Sequence, residues 1–250
     1  MRKPPTTGLA QPGRRRLDLG CGRQKAPGFL GLDRFPLPGV DVVADLERPL
    51  PFPDETFDTV SSFHALEHVS DLPGVLCEIF RVSRPGARIT IAGPYWAQGI
   101  HVANPYHVQN LNEHSPRFWT DAPQPPLPRF EYARPPQGEQ WGLASSDNSR
   151  PGFDLRCVSV ELFYFAEYWG LAAEELARLR RHGFDVCEQI LYRLVAFKPP
   201  FCDEDLAAVT VDDFYDPPLL ADRRRRAAAA PDRRFSWLRL LRNLKLLGRL

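Results

Sequence analysis

The chain has 250 residues, 25% charged and 43% hydrophobic, with a formal net charge of +1; that suffices for one large α/β domain with an appendage, and it excludes a global electrostatic field for nucleic acid. Its five cysteines, Cys21, Cys77, Cys157, Cys187 and Cys202, are odd in number and show no C-x-x-C spacing, which argues against a disulfide framework or a thiolate zinc site. The opening MRKPPTTGLAQPG has no apolar signal-peptide core and no apolar run approaches a membrane span, so a cytoplasmic location is expected.

Residues 1–13 are polar and proline-rich and read as a flexible arm, and a domain is expected over 14–200. Residues 16–19 predict a short strand that runs into the glycine turn Gly20-Cys21-Gly22. Residues 29–33, 40–44 and 57–63 predict three more strands, two of them followed or closed by an acid, Asp33 and Asp45. Asp71 is a good helix N-cap, and Pro73 sits in the first turn, where its missing N–H costs little. Leu72, Val75, Leu76, Ile79 and Phe80 then share one helical face until Pro85-Gly86, after which a strand over 87–92 is expected. Residues 94–152 are rich in aromatics, histidine, asparagine and proline, and a stretch that long without periodicity is expected to form an inserted lid. A strand over 155–165, a helix over 171–181 and a strand over 190–197 follow. The last two strands, with a short connection, should pair antiparallel at the sheet edge. Strands alternating with helices predict a mostly parallel sheet whose ligand sits at the strands' carboxyl ends. Residues 201–232, acidic and then Arg/Ala-rich, read as a tether. Residues 235–250 are expected to form a basic amphipathic helix with Trp237, Leu240, Leu241, Leu244 and Leu247 on one face. That face suits either peripheral membrane contact or packing on the domain or on a second copy of the chain.

A strand feeding a glycine turn lets a nucleotide-like cofactor approach the backbone closely. An acid ending the second strand can accept from both hydroxyls of a ribose, an acid after the third can receive an exocyclic amine, and an acid beside the turn can meet an ammonium group. Those needs fit S-adenosylmethionine. Leu17-Asp18-Leu19-Gly20-Cys21-Gly22, followed in register by PLPFPDETFDTV, HALEHVSDL and EIFRVSRPGARITI, resembles the class I S-adenosylmethionine-dependent methyltransferases, especially the type 11 methyltransferase group. The resemblance is close over residues 14–95 and loose over 155–198.

It implies a Rossmann-like α/β fold, a mostly parallel seven-stranded sheet with an antiparallel edge strand and an inserted lid, and S-adenosylmethionine as cofactor. On it, Gly20, Cys21 and Gly22 wrap the methionine part and Asp18 precedes that turn. Asp33, with Arg34 beside it, holds the ribose, and Asp45 and Leu46 flank the adenine. Phe63 and His64 stand beside the methyl donor. Two features depart from the pattern. The third glycine is absent, since Gln24 follows Arg23, and Gly22 and Asp33 lie close in sequence. A dinucleotide fold expects its acid about 20 residues after the glycines, so NAD is disfavoured and the first crossover helix must be a stub.

His64-Ala65-Leu66-Glu67-His68 spells H-x-x-E-H, in which histidines at i and i+4 of a helix can share a metal with the glutamate as base. Following a strand in this frame, the segment is read as holding no metal. A metal-dependent hydrolase using His64, Glu67 and His68 is one alternative reading, and a non-catalytic cofactor-binding protein of the same fold is another. HVANPYHVQNLNEHSPRFW, residues 101–119, is the expected acceptor region, with Tyr95, Trp96, His101, Tyr106, His107, Asn110 and Trp119 contacting the acceptor. Methyl transfer is an in-line displacement governed by alignment, and a base assists a hydroxyl acceptor. His64 and His107 are the catalytic candidates. The expected acceptor is an oxygen of a small molecule or saccharide. Nucleic acid is not expected, because the basic residues concentrate in the tail.

Overall fold

The structure is a computed structural model that describes residues 15–123 and 151–231. The expected arm, part of the lid and the helix expected over 235–250 lie outside the described residues. β1 (Arg16–Leu19), β2 (Leu30–Asp33), β3 (Val42–Val43), β4 (Phe57–Phe63), β5 (Ser83–Pro94), β6 (Leu155–Tyr164) and β7 (Cys187–Ala196) form one seven-stranded sheet in the order β3-β2-β1-β4-β5-β7-β6. The pairings from β3 through β5 are parallel. β7 runs antiparallel to both of its neighbours. The expected antiparallel pair therefore closes one edge, with β7 inserted between β5 and β6.

Register gives the sheet two unlike faces, because side chains alternate along a strand. Leu17, Val60, Ile89 and Leu194 stand side by side on one face, and all are fully buried. Asp18, Ser61, Thr90, Arg193 and Ser159 stand side by side on the other.

The apolar face is covered by α1 (Leu72–Val82), which buries Leu72, Val75, Leu76, Ile79 and Val82. Each such side chain contributes roughly 1.5–3 kcal/mol relative to exposure. The Asp71 side chain accepts from the Gly74 N–H at 2.9 Å, which satisfies one of the open amides of the first turn. The helix ends at Ser83, which is already the first residue of β5, so this strand starts before the expected 87 and passes through Gly86 at φ 73°.

The polar face has no crossover helix over it, since residues 20–29 and 34–41 are not helical, as the short spacing to Asp33 requires. Chain from beyond β7 takes that place. Two helices intervene, α2 (Gly99–Ala103) and α3 (Ala173–His182), and where a tether is expected α4 (Asp203–Ala207) and α5 (Pro218–Ala228) form; Phe214 and Leu220 are buried. Leu220 packs with Ala92, Phe163 and Leu191. Thr90 Oγ1 donates to the Tyr215 carbonyl at 3.3 Å, and Arg224 Nη2 donates to Glu161 Oε2 at 2.8 Å. A polar sheet face selects a polar cover, and the acidic and arginine-rich composition of residues 201–232 supplies it.

Candidate active site

Two cavities, of about 610 and 620 Å³, open at the carboxyl ends of β1, β2 and β4, and Gly20 and His64 line both. Gly20 and Gly22 adopt φ of 66° and 52°, the left-handed region that glycine enters without a side-chain penalty. A Cβ on Gly20 would stand 2.3 Å from the Cβ of Ala65, so only glycine lets the turn approach the end of β4. The Gly20 and Cys21 amides both donate to the Leu32 carbonyl, at 2.8 and 3.2 Å.

The first cavity has Gly20, Asp33, Arg34, Phe35, Asp45 and Leu46 along one side. Asp33 Oδ2 accepts from the Gly22 N–H and Oδ1 from the Phe35 N–H, both at 2.9 Å. A carboxylate offers about four acceptor sites, so this buried group still has one lone pair per oxygen for a sugar diol. Asp45 is exposed on the rim, where its Oδ1 accepts from the Glu47 N–H at 3.1 Å. Leu46 and the exposed ring of Phe35, with the Arg34 guanidinium 4.9 Å from its centroid, supply apolar surface for a flat base. The residues present fit an adenosyl group.

The second cavity runs past Asp18, Cys21, Gly22, Gln24, Lys25 and Phe63. Asp18 is buried, with Oδ2 accepting from the Ala26 N–H at 2.8 Å and Oδ1 from Ser61 Oγ at 3.1 Å. Burial pushes its pKa up. Burial, followed by the nearby charges of Asp18 and Asp33, pushes the Cys21 thiol up to about 11, so it is a neutral packing group. The far wall is Tyr215, Pro217, Pro218, Leu219 and Leu220, and the Tyr215 ring lies 4.6 Å from that of Phe29. The sequence reading missed this wall. Its signal was the apolar Phe214-Tyr215 and Leu219-Leu220 inside a polar stretch.

His64 sits where the cavities meet, at φ 52°, an uncommon conformation for a residue with a side chain. Nε2 lies 2.9 Å from Gln189 Oε1 and Nδ1 lies 3.5 Å from Glu67 Oε1. Glu67, foremost, raises the His64 pKa. Both ring nitrogens face acceptors, so the ring is held as a donor and not as a base. The H-x-x-E-H segment does not form the helix that would align His64 with His68, since only Leu66–His68 is helical, as one 3₁₀ turn.

The described part of the lid contains α2 (Gly99–Ala103), a 3₁₀ turn over Ser115–Phe118 and a bridge between Tyr95 and Leu111. Among the expected acceptor residues, Tyr106 lines the first cavity and is exposed. His107 rests edge-on against His68, with ring centroids 4.7 Å apart, and bonds His101 through the two Nδ1 atoms at 2.8 Å. His101 Nε2 lies 3.4 Å from Asn110 Oδ1. Burial, first, lowers the His107 pKa.

Four of the expected acceptor contacts are corrected, and the first is His101, whose buried ring bonds His107 and Asn110 and lines neither cavity. Tyr95 is buried, its hydroxyl bonded to Glu113 and Arg180, and burial pushes its pKa up to about 12. Trp119 is a core side chain packed 5.0 Å from Tyr192. Trp96 turns to Phe184, away from both cavities. Apolar burial outweighs cavity lining for Tyr95 and Trp119, whereas Trp96 stays exposed. Arg34, expected at the ribose, is exposed and stacks on Phe35.

The model of a methyltransferase domain family matches residues 32–91, from the end of β2 through most of β5. Over 87 residues the chain is 33% identical to a demethylmenaquinone methyltransferase of Streptomyces avermitilis, a match covering 34% of this chain and 38% of that protein. Over 108 residues it is 33% identical to a 2-phytyl-1,4-naphtoquinone methyltransferase of Synechococcus elongatus, covering 33% and 46%. The chain thus spans less than half the length of these relatives. A solved structure of a SAM-dependent methyltransferase from Archaeoglobus fulgidus aligns at a TM-score of 0.45 with 18% identity, over 73% of this chain and 86% of that one. The sequence matches bear out the resemblance to class I methyltransferases of the type 11 group, and with it S-adenosylmethionine as the cofactor of the family. Among the described residues, no helix is long and apolar enough to cross a membrane.

Proposed function

We propose that this chain is an S-adenosylmethionine-dependent methyltransferase that methylates an oxygen of a small, hydroxyl-bearing acceptor. The observation that carries the reading is the meeting of two cavities at Gly20 and His64, one suited to an adenosyl group and the other to an amino-acid end. The bound cofactor supplies a methyl group made electrophilic by its sulfonium.

The chain's own residues do the rest by position. Asp33 accepts from the ribose hydroxyls, while Leu46, Phe35 and Asp45 frame the base. The glycine turn and Asp18 hold the amino-acid end, beneath the Tyr215–Leu220 wall. His64, fixed between Gln189 and Glu67 with both ring nitrogens engaged, lines the junction. His68, Tyr106 and His107 stand on the acceptor side, where the lowered pKa of His107 leaves its imidazole neutral and able to take a hydroxyl proton. Two relatives are named for quinone substrates, which brings reduced quinones into the acceptor class alongside saccharides.

The reading is tested by titrating the full chain with S-adenosylhomocysteine in a calorimeter and then screening reduced quinones and saccharides for its release from S-adenosylmethionine. Binding with turnover on one class is the expected result. Binding without turnover on any hydroxyl acceptor returns the chain to a non-catalytic cofactor-binding role, and absence of binding refutes the proposal outright.

A further inference from the structure

We propose that Glu67, His68 and His107 bind a divalent first-row transition ion, zinc in the first instance, on the acceptor side of the junction. One ligand atom from each residue lies within 4.8 Å of the other two. Glu67 comes from the 3₁₀ turn after β4, where its side chain is buried, and His107 from the lid. Two imidazoles and one carboxylate form a ligand set that zinc accepts, leaving a fourth position open.

A second observation points to a missing cation. Glu67 Oε2 is buried and finds no hydrogen-bond donor among the described residues. A buried carboxylate oxygen without a partner is destabilising, and Oε1 already faces His64.

The hydrogen bonds around the two histidines supply a third argument. Asn110 Oδ1 can only accept, so His101 Nε2 carries a proton, and the Nδ1 of a neutral His101 accepts from His107 Nδ1–H. That leaves the lone pair of His107 on Nε2. His68 Nδ1 lies 3.0 Å from the Tyr106 carbonyl and donates to it, so its lone pair is also on Nε2. Both rings are thus fixed in the tautomer in which Nε2 is the ligand, by outer partners of the kind that orient metal-binding histidines.

At zinc–ligand bonds of about 2.0–2.1 Å, tetrahedral ligand atoms stand about 3.4 Å apart, so the three atoms, now within 4.8 Å of one another, draw together when the ion binds. The H-x-x-E-H motif therefore contributes two ligands and not three. His64 is turned to Gln189, and His107 takes its place.

Whether the ion binds is independent of the methyltransferase reading; what it does rests on that reading. Held there, the ion would present its open position to the acceptor oxygen and lower the pKa of its hydroxyl, whose proton would pass to solvent before the oxygen takes the methyl group; with the ion bound, His107 serves as ligand and not as base.

The test is titration of the untagged, metal-free full chain with cobalt(II), followed by zinc(II) in a calorimeter, without cofactor or acceptor. The expected result is one ion per chain, with the visible bands of four- or five-coordinate cobalt displaced by zinc. His107→Ala and His68→Ala should each abolish those bands while keeping the wild-type circular dichroism. Asn110→Ala, which frees His101, should weaken binding about tenfold or more. A chain that develops no cobalt bands overturns the proposal, as does cobalt binding that survives unchanged in His68→Ala and His107→Ala.

Discussion

Asp33→Asn separates the two tasks assigned to one side chain. In the structure Asp33 accepts from the Gly22 amide through Oδ2 and from the Phe35 amide through Oδ1, each at 2.9 Å. The amide keeps one acceptor oxygen and turns an NH₂ group toward the other N–H. One charge-assisted bond, worth about 1.5–3 kcal/mol, is lost, and the second loses its charge. Water reaches the Phe35 side, since Phe35 is 54% exposed, so the net cost is about 2–3 kcal/mol. At about 2–4 °C per kcal/mol for a chain of this size, the melting temperature of the ligand-free variant should fall by about 4–12 °C. S-adenosylhomocysteine should bind at least about tenfold more weakly, a loss of about 1.4 kcal/mol. Scanning calorimetry and isothermal titration read the two effects separately. An unchanged melting temperature refutes the turn-holding role, and unchanged affinity refutes the ribose role.

Leu220→Ala should destabilise the chain by about 2–5 kcal/mol in urea unfolding, because Leu220 is buried against Ala92, Phe163 and Leu191; a loss below about 1 kcal/mol means that α5 is not an integral part of the domain. His64→Gln should narrow its stability gap to wild type as pH rises. The folded His64 pKa is raised, so its contribution is complete below the unfolded value of about 6.5 and is lost as pH passes the folded value. Melting curves at about pH 5.5 and pH 9 measure this, and a gap that is constant or widens with pH contradicts the His64–Glu67 pair. His107→Ala should lower turnover by about 10²–10⁴-fold while S-adenosylhomocysteine affinity stays within about twofold; wild-type turnover removes His107 from the chemistry.

Much of the candidate cofactor side was legible before any coordinates. A glycine turn after a strand and acids closing the second and third strands are local features, and local sterics put their backbones where a ligand can approach. The helix over 72–82 was equally plain, because its cap, proline and apolar spacing all lie within one continuous segment. The acceptor side was not legible in the same way. Tyr95, Trp96 and Trp119 belong to an aperiodic stretch, and nothing in their spacing tells a core ring from a lining ring. Residues 201–232 misled because a cover for a polar sheet face has the composition of a solvated linker.

By itself, then, the order of residues determined the parallel strands, the crowded glycine turn and the acids beside it, since each depends on neighbours within a few positions. Which histidine joins Glu67 and His68, and which chain segment walls the second cavity, were decided only when 107 and 215–220 were brought beside residues some 40 to 200 positions earlier. Such meetings depend on how the two sheet faces are covered, and that is a property of the packed whole, written in no single stretch of chain.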